Sequence, residues 1–119
     1  RRVGMSDLTY YHNSRCSKSR KGLDLIKEKG FSGRVVNYLN DDVSRSELEM
    51  IFSNYKGPVM DLIRKEELMK LTGGRHTDFS TDELIDFVFN NIKVLQRPIL
   101  ASKRDVVIGR PTENLVALL

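Results

Sequence analysis

The stretch LTYYHNSRCSKSRKGLDLIKEKGFSGRVVNYL, residues 8–39, decides the fold class. It begins with a short β-rich run at residues 8–11 and passes through a polar loop. A helical stretch then runs from about residue 16 to residue 29 and ends at Gly30. Residues 35–39 predict a second strand. A strand, a helix and a strand in this order favour two parallel strands joined by a crossover helix.

Two later helices carry clear start signals. Ser44 with Glu47, and Ser80 with Glu83, each form a capping box. Apolar residues follow each box at helical spacing, so each helix is expected to bury one face. These faces comprise Leu48, Ile51, Phe52 and Tyr55 in the first helix, and Leu84, Ile85, Val88, Phe89 and Ile92 in the second. Between the two helices, residues 59–71 predict one or two short helices.

The last part of the chain predicts a β-hairpin and a closing helix. Residues 98–101 and 105–108 form the two strands, and Pro111 suits the first position of a terminal helix. The order βαβ, helical insertion, ββα predicts an α/β domain of thioredoxin-like fold, with a small four-stranded mixed sheet flanked by helices. We interpret residues 1–5 as a vector-derived extension and start methionine, and residues 6–119 as a single domain.

Composition argues against several classes of protein. Of the 119 residues, 39% are hydrophobic and 30% are charged, a balance typical of one globular domain. No apolar run approaches the ~18 residues of a membrane span, and no signal peptide is evident. Without Arg1 and Arg2 the net charge falls from +4 to about +2, which favours a mildly basic solvated surface. We therefore expect neither a membrane nor a nucleic acid as partner.

The single cysteine, Cys16, limits the redox chemistry open to the chain. One cysteine can form neither an internal disulfide nor a thiolate metal cluster, and we expect no bound metal or cofactor. A reducing, cytoplasmic location is the default expectation. Redox chemistry at Cys16 must then draw its electrons from a thiol on another molecule.

The surroundings of Cys16 predict a reactive thiol rather than a buried structural one. Because Cys16 lies where a strand passes into a helix, unpaired backbone N–H groups and the helix dipole favour the thiolate. The same N–H groups would hold an oxyanion. Ser19 offers a hydroxyl donor three residues on, and His12 either makes a structural hydrogen bond or tunes the thiol. Positive potential is expected from the neighbouring basic residues Arg15, Lys18 and Arg20. The second histidine, His76, is expected to be a plain surface residue.

The motif His12-Asn13-x-x-Cys16-x-x-Ser19-Arg20 resembles the active-site motif of the glutaredoxin-coupled arsenate reductases, a family that also includes the Spx-type regulators. The resemblance runs from about residue 6 to residue 119. Three further motifs carry it: Leu62-Ile63-Arg64-Lys65, Gln96-Arg97-Pro98-Ile99 and Ile108-Gly109-Arg110-Pro111. Two positions depart from the usual family pattern, since Ser14 and Ser17 stand where Pro and Gly are frequent.

The resemblance implies a set of active-site residues. Cys16 is the nucleophile, and His12 and Ser19 accompany it in the catalytic motif. Three arginines surround the bound oxyanion: Arg64, Arg97 and Arg110. The resemblance also implies a cis peptide bond between Arg97 and Pro98.

The implied activity is arsenate reduction, a step in arsenic detoxification, through a covalent arseno-cysteine on Cys16. Glutathione is the implied co-substrate and glutaredoxin the implied protein partner, with no bound cofactor. Two alternatives stay open: a glutathione-dependent thiol reductase with another substrate, and an Spx-type redox regulator that binds RNA polymerase. The arginine trio favours arsenate over the thiol reductase. Many Spx-type regulators carry a second cysteine where this chain has Ser19, which weighs against the regulator.

Overall fold

A four-stranded sheet forms the centre of the protein in a computed structural model that describes residues 7–74 and 78–119. Its strands are β1 (Thr9–His12), β2 (Arg34–Asn37), β3 (Ile99–Ala101) and β4 (Val106–Ile108), in the spatial order β2-β1-β3-β4. Strand β1 pairs in parallel with β2 and antiparallel with β3, which pairs antiparallel with β4. The predicted mixed, thioredoxin-like sheet is therefore confirmed.

The helices occupy the places that the sequence predicts. They are α1 (Ser17–Glu28), α2 (Arg45–Asn54), α3 (Lys65–Thr72) and α4 (Thr81–Asn90), with 3-10 helices at Val59–Leu62, Ile92–Val94 and Thr112–Leu118. Both capping boxes are present, at Ser44 with Glu47 and at Ser80 with Glu83. The closing helix differs from the prediction, because Pro111 has an extended backbone and precedes a 3-10 helix as its cap.

Two apolar clusters cover the two faces of the sheet, because successive residues of a strand point to opposite sides. Tyr10 and Leu100 belong to the cluster that includes Ile26 of α1 and Leu115 of the C-terminal 3-10 helix. Tyr11 and Ile99 and their neighbours pack with the helical insertion between β2 and β3. The sheet is thus buried on both faces, and its strand ends are left to form a site.

One residue of the two predicted helix faces is exposed, and so are the methionines Met50, Met60 and Met69, which the sequence also predicts to be core. Phe89 leaves 46% of its surface in solvent, whereas Phe87 packs against the core and its ring lies 5.4 Å from that of Phe79. At 3.6 residues per turn, both phenylalanines of α4 lie about 100° to either side of the buried stripe. Packing against Phe79, which lies outside the helix, determines which of the two is covered.

Some sequence predictions fall on residues that the structure does not describe. The interpretation of residues 1–5 and the surface assignment of His76 both lie outside the described ranges. Within those ranges, no helix is both long and apolar enough to cross a membrane.

Candidate active site

Cys16 caps the N-terminus of α1, directly after the loop that leaves β1. Its backbone is extended, with φ −97° and ψ 122°, and its carbonyl accepts a hydrogen bond from the N–H of Arg20 at 3.0 Å. Its own N–H donates to the carbonyl of Asn13 at 3.0 Å. The half-buried thiol therefore stands at the position where a helix leaves its first N–H groups unpaired.

The surroundings lower the pKa of the Cys16 thiol below its ordinary value. Burial acts in the opposite direction and raises the pKa, but the backbone N–H groups of Ser19 and Lys18 and the Arg97 guanidinium outweigh it. In addition, Nη2 of Arg110 lies 3.6 Å from the sulfur. Donors and positive charge thus favour the thiolate, the nucleophilic form of cysteine.

The positive charge at the sulfur comes from a different source than the local sequence suggested. Three basic side chains adjoin Cys16 in the sequence, and all three are exposed: Arg15, Lys18 and Arg20. Exposed charges are strongly screened by water and salt. The guanidinium groups that interact with the sulfur belong instead to Arg97 and Arg110, which come from the other end of the chain.

The hydroxyl of Ser19 supports the loop rather than the thiol. Its Oγ accepts a hydrogen bond from the N–H of Asn13 at 3.0 Å and lies 2.7 Å from Nδ1 of His12. The side chain is fully buried, and within the described residues its hydroxyl makes these two contacts and none to Cys16. The expected hydroxyl donor is therefore replaced at the sulfur by the backbone N–H of the same residue.

His12 has the surroundings of a neutral structural histidine. Burial lowers its pKa, and the positive charges of Arg20 and Lys27 lower it further. A neutral ring brings no positive charge to Cys16, and it lets the Ser19 hydroxyl donate to Nδ1. Of the two roles left open by the sequence, the structural hydrogen bond is the one that the geometry favours.

Hydrogen bonds fix the loop before Cys16, in which Ser14 stands where the resemblance leads one to expect proline. The Ser14 Oγ accepts a hydrogen bond from the side-chain amide of Asn37 at 3.1 Å. The Ser14 carbonyl accepts one from the Arg20 guanidinium at 2.9 Å. The Asn13 side chain accepts from the N–H of Arg15 at 2.9 Å. These contacts tie the loop to β2 and to α1.

Arg97 and Arg110 are held together at the ends of β3 and β4. Nε of Arg110 donates to the carbonyl of Arg97 at 2.7 Å, and the N–H of Gly109 donates to the carbonyl of Pro98 at 2.9 Å. The Arg97–Pro98 peptide bond is cis, as the resemblance implies, and the Arg110–Pro111 bond is cis as well. The hairpin ends thus deliver both guanidinium groups to one place.

Arg64 lies at the start of α3, on a different element from the other two arginines. Its backbone N–H donates to the carbonyl of Val94 at 2.7 Å. Arg64 and Arg110 line a common cleft of about 950 Å³; Cys16 does not line it, and Arg110 connects it to the sulfur. In the described part of the chain Arg64 has no direct interaction with Cys16, so the structure brings two of the three predicted arginines to the sulfur and leaves the third in the cleft.

Three buried polar atoms lack a hydrogen-bond partner within the described structure: the Tyr38 hydroxyl, Nε of Arg64 and Nε of Arg97. Leaving a buried donor unpaired is costly, and such groups in a folded protein call for an explanation. Two of the three belong to arginines that the resemblance assigns to oxyanion binding. Sequence reasoning assigned no role to Tyr38, because a strand-end tyrosine carries no signal of its own, and none to Asn13, although Asn13 is part of the motif around Cys16.

Fold and site together define a thioredoxin-like protein with a single thiolate at a helix N-terminus and guanidinium groups around it. Comparison with known families makes this more specific. The chain belongs to the ArsC family, whose model matches residues 11–118.

Individual relatives cover nearly the whole chain. An arsenate reductase of Neisseria meningitidis is 34% identical over 117 residues, which are 97% of this chain and 100% of that one. An arsenate reductase of Escherichia coli is 33% identical over 116 residues, 97% of this chain and 82% of that one. Among solved structures, an arsenate reductase from Vibrio cholerae superposes with a TM-score of 0.83 at 32% identity, covering 94% of this chain and 97% of that one.

Proposed function

We propose that this protein is an arsenate reductase in which the Cys16 thiolate is the nucleophile. The observation that carries the proposal is the contact of 3.6 Å between Nη2 of Arg110 and the Cys16 sulfur, beside a second guanidinium from Arg97. Guanidinium groups bind tetrahedral oxyanions through paired N–H donors, and a thiol that only exchanges disulfides has no need of them. The arsenate reductases among the relatives support the same substrate.

The first chemical step joins the thiol to arsenic. The thiolate of Cys16 attacks As(V), an S–As bond forms, and one arsenate oxygen takes up protons and leaves as water. Arsenic keeps its oxidation state in this step. Arg97 and Arg110 offset the negative charge that collects when the anion meets the thiolate, and the N–H groups at the start of α1 contribute donors.

The second step needs an external thiol, because the chain has only one cysteine. Glutathione attacks the adduct, As(V) gains two electrons and leaves as arsenite, and the two sulfurs become a disulfide. Glutaredoxin and further glutathione then return Cys16 to the thiol. Glutathione, glutaredoxin and a cytoplasmic location all belong to the proposal.

We place this second reactant in the cleft lined by Arg64 and Arg110, which the Arg110 side chain connects to the Cys16 sulfur. Its volume of about 950 Å³ far exceeds the needs of a tetrahedral anion and lies at the upper end of ordinary ligand pockets, about 300–1,000 Å³. Besides two arginines its lining includes Lys65, Glu66, Glu113 and Asn114. Side chains of both charge signs suit glutathione, which carries an ammonium group and two carboxylates.

A coupled assay tests the proposal. NADPH oxidation is followed with arsenate, glutathione, glutaredoxin and glutathione reductase, for the wild type and for Cys16→Ser, with Ser17→Ala as the matched control one residue away. We expect turnover that requires every component and Cys16, and that Ser17→Ala retains. Absence of turnover while Cys16 is still rapidly alkylated would overturn the arsenate assignment and favour a thiol reductase. Turnover that persists without glutathione would overturn the coupling.

A further inference from the structure

Tyr38 is a buried tyrosine at the edge of the site whose hydroxyl has no partner. It follows β2 directly, and its N–H donates to the carbonyl of His12 at 3.2 Å, which extends the β1–β2 pairing by one residue. Its surface is 3% exposed, yet the hydroxyl makes no hydrogen bond to any described residue. The other two buried tyrosines differ in this respect, since Tyr10 donates to the Ser19 carbonyl and Tyr11 to the Glu47 carboxylate.

The Tyr38 hydroxyl lies among the groups of the active site. Burial raises its pKa, the neighbouring Asn13 side chain and Arg97 guanidinium lower it, and the Cys16 thiolate raises it. The net rise keeps the hydroxyl protonated and uncharged at neutral pH. Neither Asn13 nor Arg97 reaches the geometry of a hydrogen bond with the hydroxyl.

Arg97 also has a buried polar atom without a partner among the described residues, in this case a donor. Its Nε–H is buried and has no acceptor in the described structure, while its guanidinium interacts with the Cys16 sulfur. A guanidinium only donates hydrogen bonds, whereas a tyrosine hydroxyl can accept one. An unpaired donor and an unpaired acceptor therefore belong to neighbouring side chains, since the Arg97 guanidinium acts on the Tyr38 hydroxyl.

We propose that Tyr38 is a positioning residue for Arg97. Its hydroxyl accepts a hydrogen bond from the Arg97 Nε–H when a bound oxyanion reorients the guanidinium. The hydrogen bond would satisfy both unpaired groups and fix the plane of the guanidinium, leaving its terminal N–H groups for the anion. The inference rests on the proposed function, because the anion that engages Arg97 is arsenate. It gives the Tyr38 hydroxyl a role only in the anion-bound state.

Tyr38→Phe removes the hydroxyl and little else, and Tyr11→Phe removes a bonded hydroxyl from a tyrosine of the same apolar cluster as a matched control. The measurement is the protection of Cys16 from alkylation by increasing arsenate, which reports anion affinity without turnover. We expect Tyr38→Phe to weaken protection about three- to tenfold, the range of one hydrogen bond, and to raise the KM for arsenate but not that for glutathione. Tyr11→Phe should leave both quantities unchanged.

Stability separates a positioning role from a structural one. Because the Tyr38 hydroxyl is unpaired in the anion-free protein, Tyr38→Phe should melt at the same temperature as the wild type or higher. Tyr11→Phe should melt lower, since it loses its bond to Glu47. Weaker protection in a Tyr38→Phe protein that is equally stable supports the inference, and unchanged protection overturns it.

A double-mutant cycle identifies Arg97 as the partner. Arg97→Lys lacks the Nε–H, so Tyr38→Phe should cause no further loss of protection in that background. Additive losses would overturn the link between the two residues. If no oxyanion protects wild-type Cys16, the proposed function fails and this inference fails with it; if arsenate protects the wild type and Tyr38→Phe equally, the inference alone fails.

Discussion

Nη2 of Arg110 lies 3.6 Å from the sulfur of Cys16, although the two residues are 94 positions apart in the sequence. Nε of the same arginine donates to the carbonyl of Arg97. One side chain therefore links the end of β4, the start of β3 and the cap of α1. The electrostatic state of the thiol is governed by the hairpin as well as by its own helix.

Removal of the Arg97 guanidinium, the second positive charge beside the Cys16 sulfur, should make the thiol less acidic. We expect Arg97→Ala to raise the pKa of Cys16, because a nearby positive charge favours the thiolate. The rate of alkylation against pH measures this shift. The kcat/KM for arsenate should fall about 100-fold, as when one donor to a developing anion is lost.

Arg104→Ala is the control for this experiment, since it removes the same charge from an exposed position between β3 and β4. It should leave the alkylation profile of Cys16 unchanged. Identical profiles for Arg97→Ala and the wild type would show that the Arg97 guanidinium does not lower the thiol pKa.

Ser19→Ala should destabilise the protein, because two groups lose their partner when the hydroxyl is removed. The Asn13 N–H and His12 Nδ1 would both remain in a buried environment without this hydrogen bond. We expect the free energy of unfolding to fall by about 1–3 kcal/mol, measured by urea denaturation. The exposed neighbour Ser17→Ala should change it by less than about 0.5 kcal/mol. Equal effects of the two variants would contradict the importance of this buried network.

Stability should decline on mild acidification because the pKa of His12 is lowered in the folded protein. As the pH falls through about 6.5, the unfolded chain binds a proton at His12 that the folded protein does not bind, so unfolding becomes easier. The stabilisation that comes from His12 is complete above about pH 6.5. It is lost progressively as the pH falls toward the lower pKa that His12 has in the folded protein. Glu47, whose pKa is also lowered, titrates at more acid pH.

The chain contains two histidines, so this experiment is best done in a His76→Gln background, where His12 is the single imidazole. Urea denaturation at about pH 7.5 and about pH 5.5 brackets the titration of an ordinary histidine. We expect His12→Gln to reduce the difference in unfolding free energy between the two conditions. An unchanged difference would assign the acid sensitivity to other groups.

Lys65→Glu should weaken the use of glutathione without affecting arsenate. Lys65 is exposed in the cleft beside Arg64, where it can attract a carboxylate of glutathione. Ion pairs at such positions contribute little, so we expect the KM for glutathione to rise about three- to fivefold. Lys70→Glu makes the same change of charge on α3 outside this cleft and should leave the KM unchanged. Equal KM values for the two variants would argue against glutathione binding here.

Local signals in the sequence were sufficient for the elements of the fold. The Ser44–Glu47 and Ser80–Glu83 boxes depend only on residues three apart, and the structure contains both. The choice between Phe87 and Phe89 was not predictable in this way, because it depends on contact with Phe79 outside the helix.

The site was predictable only in part. The position of Cys16 at a helix start follows from the local pattern, whereas the arginines followed from the resemblance alone. The true partner of the Ser19 hydroxyl and the unpaired hydroxyl of Tyr38 depend on how β1, β2 and α1 pack together. Contacts of this kind have no fixed spacing along the chain.

The order of Cys16 and Arg110 along the chain has a consequence for biosynthesis. The cysteine leaves the ribosome 94 residues before the arginine that contacts it. Until β4 has emerged and paired with β3, a nascent chain carries the thiol without its two cations. Competence to bind an oxyanion is therefore acquired only after residue 110 has emerged, and a product truncated before residue 110 would retain the cysteine but lack the completed anion site.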